Sequence, residues 1–254
     1  MTFYFKPLKS IMQSIFSFAI SNNMKAEKYG NIFLPKKRSN ENLADNEEYI
    51  RATIQQIDEI QQFCSLTPYT HILDFGCGQG RFANGLIAKN QNIGSYCGID
   101  TQAESIKWCK HYIEKNHPNF TFLHLPAYNA RYNSSIKTRP ELPLNSNSYN
   151  LAVLNSVFSH MLVDDVRFYL SQLFQLLKKD GMVYLTSFIE EDVPQVEENP
   201  ENYIQSSVSP LHRVRYEKSF FFELVKLAGF NIISFQHQHF KRTKQSVVIA
   251  KKVV

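Results

Sequence analysis

The 254-residue chain has few of the residues that mark unusual classes of protein. Its nine glycines and ten prolines are too few for a collagen-like or a disordered chain. The longest apolar stretch near the start, residues 11–20, is interrupted by polar side chains, and a membrane-spanning helix needs roughly 20 apolar residues. A small-residue cleavage site, typical of a signal peptide, is also missing there. We therefore expect a soluble protein without a membrane span.

Cysteine is scarce as well. Cys64, Cys77, Cys97 and Cys109 have no C-x-x-C spacing, which argues against a zinc framework, and a disulfide scaffold would be denser. We expect reduced thiols, a cytoplasmic location and no metal site. The net charge of +5 is modest, and no motif of a known nucleic-acid reader occurs, so nucleic-acid binding is not expected.

Short apolar strands and amphipathic helices alternate along most of the chain. A helix is predicted to begin near Asp45, with Glu47 and Glu48 in its first turn, where carboxylates favour the positive end of the helix dipole. After residue 71 the alternation predicts an α/β fold, a mostly parallel sheet with helices on both faces. The last two strands have no helix between them, which predicts an antiparallel pair. The predicted strands are 71–75, 95–99, 120–125, 149–155, 182–188, 231–236 and 246–251, and the later helices are 81–89, 103–116, 163–177 and 219–228.

The flanking segments suggest how the chain is organised. Residues 1–44 are predicted to be an irregular extension with an amphipathic helix at 8–20, acting as a lid or as a contact in a homodimer. Residues 45–254 form the main domain. Within it, residues 190–216 lack periodicity and contain three prolines and six acidic residues. A connection of this length in a compact domain is usually functional or disordered, so we expect an insertion on the substrate side.

A glycine-rich loop provides the clearest functional signal. Gly76, Gly78 and Gly80 lie directly between a predicted strand and a predicted helix, where glycine allows a tight turn and lets a ligand approach the backbone. The G-x-G-x-G spacing is one residue shorter than that of a dinucleotide site, which disfavours a nicotinamide dehydrogenase. Asp100 ends the next strand, 26 residues after Asp74, and its carboxylate can accept hydrogen bonds from two ribose hydroxyls.

Several sequence motifs resemble a known family. H-I-L-D-F-G-C-G-Q-G-R at 71–81 and Y-C-G-I-D at 96–100 resemble the class I S-adenosylmethionine-dependent methyltransferases. S-Y-N-L-A-V-L-N-S-V-F-S-H-M at 148–161 is similar to a bacterial subgroup with an S-V-F-(S/T)-H signature after the fourth strand. The resemblance implies a Rossmann-like seven-stranded sheet and S-adenosyl-L-methionine as cofactor, with the glycine loop under its methionine part and Asp100 on its ribose. On this resemblance the cofactor-binding candidates are Asp74, Gly76, Cys77, Gly78, Gly80, Asp100, Thr101, Gln102, Ala127 and Asn155.

The adenine side of this site departs from the family pattern. Family members usually have an aspartate at the end of the third strand, which accepts the adenine amino group, and Pro126 stands in its place. We therefore expect backbone groups near Ala127, packing and Gln102 to hold adenine.

The residues that surround the methyl acceptor are less clearly marked. Methyl transfer depends on alignment of the nucleophile and needs a base only if the nucleophile must lose a proton early. His160, five residues beyond the predicted end of the fourth strand, is the candidate base; the alternative is a histidine that only binds backbone and shapes the pocket. The substrate-side candidates are Tyr128, Tyr132, Phe158, Tyr203, His212, Arg213 and Arg215. For these residues, aromatic packing and a solvated loop are the alternatives.

The expected activity is methyl transfer to an oxygen or nitrogen of a small molecule, such as a natural product or a sugar. One alternative is an RNA or protein methyltransferase, which the basic stretch 226–252 favours. Another is a non-catalytic S-adenosylmethionine-binding subunit that works through a partner.

Overall fold

The computed structural model of the protein describes residues 24–38, 45–129, 131, 133, 135, 138–201, 203–204 and 209–253. The helix predicted at residues 8–20 and the substrate-side candidate Tyr132 lie outside the described residues. Within the described ranges, no helix is long and apolar enough to span a bilayer. In chain order the elements are β1 (Ala26–Tyr29), β2 (Ile32–Pro35), α1 (Asn46–Gln61), β3 (His71–Phe75), α2 (Arg81–Ala88), β4 (Ser95–Asp100), α3 (Ala103–Tyr112), β5 (Phe120–His124), β6 (Tyr149–Leu154), α4 (Val163–Leu176), β7 (Leu177–Glu190), β8 (Val196–Glu198), β9 (Val214–Glu217), α5 (Lys218–Leu227), β10 (Phe230–Phe240) and β11 (Gln245–Lys252).

The main sheet follows the strand order β10-β11-β7-β6-β3-β4-β5. Strands β3 to β7 pair in parallel along this path, while β11 is antiparallel to both β7 and β10. All seven strands expected from the sequence are present, and the closing antiparallel pair is confirmed. The chain order reverses between β3 and β6, so the carboxyl ends of these two strands border the crevice where ligands bind in sheets of this kind, and β4 lies next to β3.

Helix α1 begins where the sequence predicted. The side chain of Asp45 accepts a hydrogen bond of 2.8 Å from the backbone N–H of Glu48, a capping contact that satisfies one of the free amides of the first turn. The apolar residues Ile50, Ile57 and Ile60 are all buried. Their spacings of seven and three residues place them on one face of the helix, which packs in the cluster that contains Ile72 of β3.

Two hydrophobic clusters cover the two faces of the sheet. Neighbouring residues of β3 face opposite sides, so that Ile72 belongs to one cluster and Leu73 to the other. Helices α1, α2 and α3 pack on the Ile72 face, and α4 and α5 pack on the Leu73 face. This is the three-layer arrangement of a doubly wound α/β domain.

The region before α1 is more ordered than the sequence suggested. Residues 26–35 form an antiparallel hairpin of β1 and β2, whereas irregular structure was expected there. Leu34 is fully buried and Ile32 nearly so, in the cluster that contains α2 and α3. The Tyr112 hydroxyl of α3 donates to the Met24 carbonyl at 2.9 Å. These long-range contacts, rather than strand propensity, explain the hairpin.

The insertion at 190–216 also contains strands that the sequence did not predict. Strand β9 pairs in parallel with the end of β7, with Phe188 opposite Arg215, and β8 pairs antiparallel with β9. The main sheet is therefore extended beyond seven strands on its carboxyl side by two short strands. This extension fixes parts of residues 190–216 at the carboxyl end of β7.

Candidate active site

The glycine loop is fixed to the neighbouring strand. The backbone N–H groups of Gly76 and Cys77 both donate to the carbonyl of Ile99 in β4, at 2.8 and 3.0 Å. Gly76, Gly78 and Gly80 have φ values of 82°, 53° and 72°, a left-handed region that side chains with a Cβ adopt only with strain. The motif G-x-G-x-G is therefore required by the backbone of this turn.

The three glycines differ in what surrounds them. A Cβ on Gly76 would come within 2.5 Å of the Val157 side chain, and one on Gly80 within 2.6 Å of Ile113. A Cβ on Gly78 would meet nothing within 4 Å. Gly76 and Gly80 thus allow close packing inside the protein, whereas Gly78 borders open space in which a ligand can approach the chain.

Asp100, at the end of β4, is oriented by backbone amides. Its Oδ2 accepts from Gly78 N and its Oδ1 from Gln102 N, each at 2.8 Å. Burial raises the pKa of Asp100, and the amide hydrogen bonds oppose that rise. Each carboxylate oxygen can accept more than one hydrogen bond, so both retain capacity for a pair of hydroxyls. Thr101 follows, and its carbonyl contacts His124 Nε2 at 3.1 Å.

Asp74 lies at the end of β3 and is 1% exposed. Its Oδ2 accepts a 2.5 Å hydrogen bond from the Tyr96 hydroxyl, while its Oδ1 is buried and has no hydrogen-bond partner among the residues that the structure describes. Burial raises the pKa of Asp74 to about 7, against the lowering effects of Tyr96 and Arg81. Cys77, also buried, has a thiol whose pKa burial raises well above its usual value. An acid with an unsatisfied oxygen beside the loop fits a cationic ligand group.

A polar network connects α1 to this site, and sequence reasoning missed it. Arg81, at the start of α2, donates to the Thr53 hydroxyl at 3.0 Å and to Gln56 Oε1 at 3.2 Å. Gln56 in turn donates to Asn155 Oδ1 at 2.5 Å. Asn155 is therefore held just after β6 by a side chain from α1. The signal was available, because Thr53 and Gln56 are polar residues within the apolar stripe of α1, and both are buried.

Ala127 and Tyr128 follow β5, where the adenine group of the cofactor is expected to bind. Ala127 is buried, and its N–H already donates to the Leu125 carbonyl at 2.7 Å. The N–H of Tyr128 donates to the Thr138 carbonyl at 2.8 Å, and its side chain is 46% exposed. Backbone N–H groups at these two positions are therefore engaged within the protein. Among the contacts of the described residues the Ala127 carbonyl receives no hydrogen bond, so it can accept from an amine, and the Gln102 N–H donates to Asp100.

His160 is held beneath the insertion. It ends the short 3-10 helix Phe158–His160, and its Nδ1 lies 3.0 Å from the Leu211 carbonyl. Because a carbonyl only accepts, Nδ1 carries the proton in this contact. Burial lowers the pKa of His160 to about 4, so the ring is neutral at pH 7. Phe158 is fully buried in the hydrophobic core and offers no surface to a ligand in this structure.

The remaining substrate-side candidates fall into two groups on the insertion. Tyr203 donates to Glu190 Oε1 at 2.7 Å, and the guanidinium of Arg215 lies 4.9 Å from the centre of the Tyr203 ring. Arg215 is also ion-paired with Glu197. His212 and Arg213 instead follow Leu211, next to His160. The structure thus brings His160 and His212 together and places Tyr203 and Arg215 at the end of β7, while the charge of Arg213 acts on both His212 and Tyr203.

Comparison with known proteins agrees with this geometry. Residues 73–183, which contain β3 to the middle of β7, match a family model described as a methyltransferase domain. Magnesium protoporphyrin IX methyltransferase from Synechocystis, solved with bound S-adenosylmethionine, is 13% identical with a TM-score of 0.57, covering 99% of this chain and 100% of that one.

Two further solved structures share the fold. A Burkholderia thailandensis N1-methyltransferase, solved with 1,6-didemethyltoxoflavin and S-adenosylhomocysteine, is 15% identical with a TM-score of 0.54, covering 100% and 94% of the two chains. The [4+2]-cyclase SpnF is 16% identical with a TM-score of 0.57, covering 96% and 94%. These likenesses, at 13–16% identity, show a shared fold, and within it residues 73–183 are similar to a methyltransferase domain.

Proposed function

We propose that the protein transfers a methyl group from S-adenosyl-L-methionine to an oxygen or nitrogen of a small molecule. The observation that carries this proposal is the unit formed by the glycine loop and Asp100, in which Gly78 borders open space and donates its N–H to the Asp100 carboxylate. The unit lies at the carboxyl edge of the parallel strands, where α/β sheets bind ligands.

Three polar parts of the cofactor have candidate partners in this chain. Asp100 would accept from the two ribose hydroxyls, and the buried, unsatisfied Oδ1 of Asp74 suits the positive charge of the methionine part. The Ala127 carbonyl would accept from the adenine amino group in place of the aspartate that Pro126 replaces. The cofactor supplies a methyl group activated by its sulfonium; the protein's task is to hold that group in line with the acceptor.

His160 is better suited to position the insertion than to remove a proton. A pKa of about 4 keeps the ring neutral at pH 7 but makes it a weak base, and general bases work best with a pKa near the operating pH. Its contact with the Leu211 carbonyl joins the end of β6 to the insertion. We infer that His160 shapes the acceptor side, and that the rate comes mainly from alignment.

A small acceptor is the class that two structural neighbours favour. The insertion contacts β7 through β9 and His160 through Leu211. Two structural neighbours carry small-molecule names. The alternatives are an RNA or protein acceptor, a non-catalytic subunit, and a different reaction on the same fold, for which the [4+2]-cyclase is the precedent.

Calorimetry with S-adenosylhomocysteine tests the cofactor site, and the chain offers a matched pair of variants. Gly78 and Gly30 have nearly equal φ values of 53° and 58°, and neither Cβ would meet an atom within 4 Å. Gly78→Leu and Gly30→Leu therefore introduce similar backbone strain. We expect Gly78→Leu to weaken binding by about tenfold or more, which corresponds to ~1.4 kcal/mol, and Gly30→Leu to bind like the parent.

Equal binding by both folded variants would place the cofactor elsewhere. The acceptor class is then tested by production of S-adenosylhomocysteine in the presence of a metabolite mixture, of total RNA and of total protein. Turnover only with RNA or protein would overturn the small-molecule proposal. Cofactor binding without methyl transfer to any of the three would favour a non-catalytic role.

A further inference from the structure

Three segments that are far apart in sequence meet at His160. The side-chain amide of Asn129, after β5, donates to the His160 carbonyl at 3.0 Å. The His160 ring is 3.0 Å from the Leu211 carbonyl. Residues 129–131, the 3-10 helix Phe158–His160 and residues 211–213 are therefore joined by hydrogen bonds at the acceptor side of the proposed active site.

These contacts bring positive side chains together. Arg131 lies two residues after Asn129, and its N–H donates to Asn129 Oδ1 at 3.0 Å. The Arg213 N–H donates to Asn199 Oδ1 at 3.0 Å, and the Arg213 carbonyl accepts from the Asn199 N–H at 2.7 Å. Arg213 is only 8% exposed. His212 lies between Leu211 and Arg213. Hydrogen bonds thus hold the backbone at Arg131 and Arg213, and the charges of Arg131 and Arg213 both act on His212.

The electrostatic effects agree with this proximity. Burial first, and then the charges of Arg131 and Arg213, lower the pKa of His212. Burial and Arg131 lower the pKa of Arg213, and Arg131 adds to the lowering at His160. Like charges that depress one another's pKa values store electrostatic free energy, which a bound anion releases. The carboxylate of Glu198 accepts from the Leu211 N–H at 2.7 Å.

We propose that Arg131, His212 and Arg213 form a subsite for an oxyanion, a carboxylate or a phosphate, carried by the methyl acceptor. This inference rests on the proposed function and names the chemistry of its substrate. Guanidinium groups bind both anions through paired hydrogen bonds. All three side chains have other interactions in the structure, so the anion joins an existing network. Anchored there, the acceptor would have its nucleophile held toward the methyl group.

Titration of the full-length protein loaded with S-adenosylhomocysteine tests the subsite, with inorganic phosphate and acetate as probes and potassium chloride at equal ionic strength as reference. We expect phosphate or acetate binding in the calorimeter and, by NMR, a rise in the pKa of His212. Arg131→Gln and Arg213→Gln should each weaken binding by about tenfold or more, as expected for loss of a charged hydrogen-bond partner. Arg213→Lys should retain part of the affinity.

Arg167→Gln is the matched control, because Arg167 is exposed on α4 and should leave anion binding unchanged. The subsite is wrong if the loaded parent binds neither probe, or if Arg167→Gln weakens binding as much as the other two variants. Tighter binding of a short single-stranded RNA than of either probe, lost in the same variants, would overturn the small-molecule acceptor. Failure to bind S-adenosylhomocysteine would instead count against the proposed function.

Discussion

Asp74 carries a proton that an ordinary aspartate would release, and this has a consequence for stability. Its pKa is raised to about 7 by burial, so between about pH 4 and pH 7 the folded protein holds a proton that the unfolded chain loses. Stability should therefore fall as the pH rises through this window. The limit is ~1.4 kcal/mol per pH unit for one group.

Asp74→Asn removes this titration while keeping the shape of the protonated acid. In urea unfolding at pH 4.5, 5.5 and 6.5, the variant should gain stability relative to the parent with each step. A difference between the two proteins that stays constant over this range would show that Asp74 is ionised in the folded state.

His160 should behave with the opposite sign. Burial lowers its pKa from 6.5 to about 4, so between these values the unfolded chain binds a proton that the folded protein excludes. Its contribution to stability is present above pH 6.5 and is lost as the pH falls toward 4. In the same urea series, His160→Gln should lose less stability than the parent on acidification. An equal loss in both would mean that the ring is already charged or is open to solvent.

Individual site residues were predictable from sequence only where they belong to one continuous motif. The glycines and Asp100 were found because a strand, a turn and a helix fix their relative positions locally. Gln56 and Arg131 were not, since they reach the site from α1 and from the turn after β5 through contacts between distant segments. Their roles depend on tertiary packing, which a local spacing cannot encode.

Among the elements, Glu190 adds a side-chain contact between the insertion and the end of β7 to the strand pairing with β9. Burial alone would raise the pKa of Glu190, but hydrogen bonds from His237, Tyr203 and Gln238 bring it below its usual value. The Tyr203 hydroxyl, at 2.7 Å, is the contact made by the insertion itself. Glu190 is therefore a charged anchor whose partners come from both the insertion and β10.

Tyr203→Phe should loosen the insertion without unfolding the domain. Loss of a hydrogen bond to a charged group costs about 1.5–3 kcal/mol, enough to raise the population of an open insertion more than tenfold. Limited trypsin digestion should then cut faster after Arg213 and Arg215, and mass spectrometry would locate the cuts. Tyr69→Phe, at an exposed tyrosine, is the control and should be cut like the parent. Equal rates for all three would mean that another contact holds the insertion.

The sequence predicted long, periodic elements better than short ones. Asp45, Glu47 and Glu48 identified the start of α1, and the glycine loop separated β3 from α2. Strands β1, β2, β8 and β9 have three or four residues each, too few for an alternating pattern to be distinguished from chance. They form because they pack against or pair with segments elsewhere in the chain. Leu34 of β2, for example, packs in the hydrophobic cluster with α2 and α3.

At the scale of the molecule, the two hydrophobic clusters share one sheet and should unfold together. Ile72 and Leu73 are adjacent, both fully buried, and face opposite clusters. Ile72→Ala and Leu73→Ala should each cost about 2–5 kcal/mol. The single tryptophan, Trp108, lies only in the Ile72 cluster, so its fluorescence reports on one face while circular dichroism reports on the whole sheet.

In urea, both variants should show coincident fluorescence and circular dichroism transitions, shifted by similar amounts. For Leu73→Ala this means that a cavity on one face of the sheet shifts the urea transition reported by a tryptophan on the other face. Separate transitions in either variant would show that the two faces unfold independently.

The position of β11 has a consequence for how the protein is made. This strand lies between β7 and β10, with residues Gln245–Ala250 buried, yet every other strand of the sheet leaves the ribosome before it. Until it arrives, β7 presents unpaired backbone groups along an apolar edge, which is a template for association with other chains. Nascent chains that stop short of residue 245 should therefore depend on chaperones, and a premature stop codon there should give aggregate rather than a shorter enzyme.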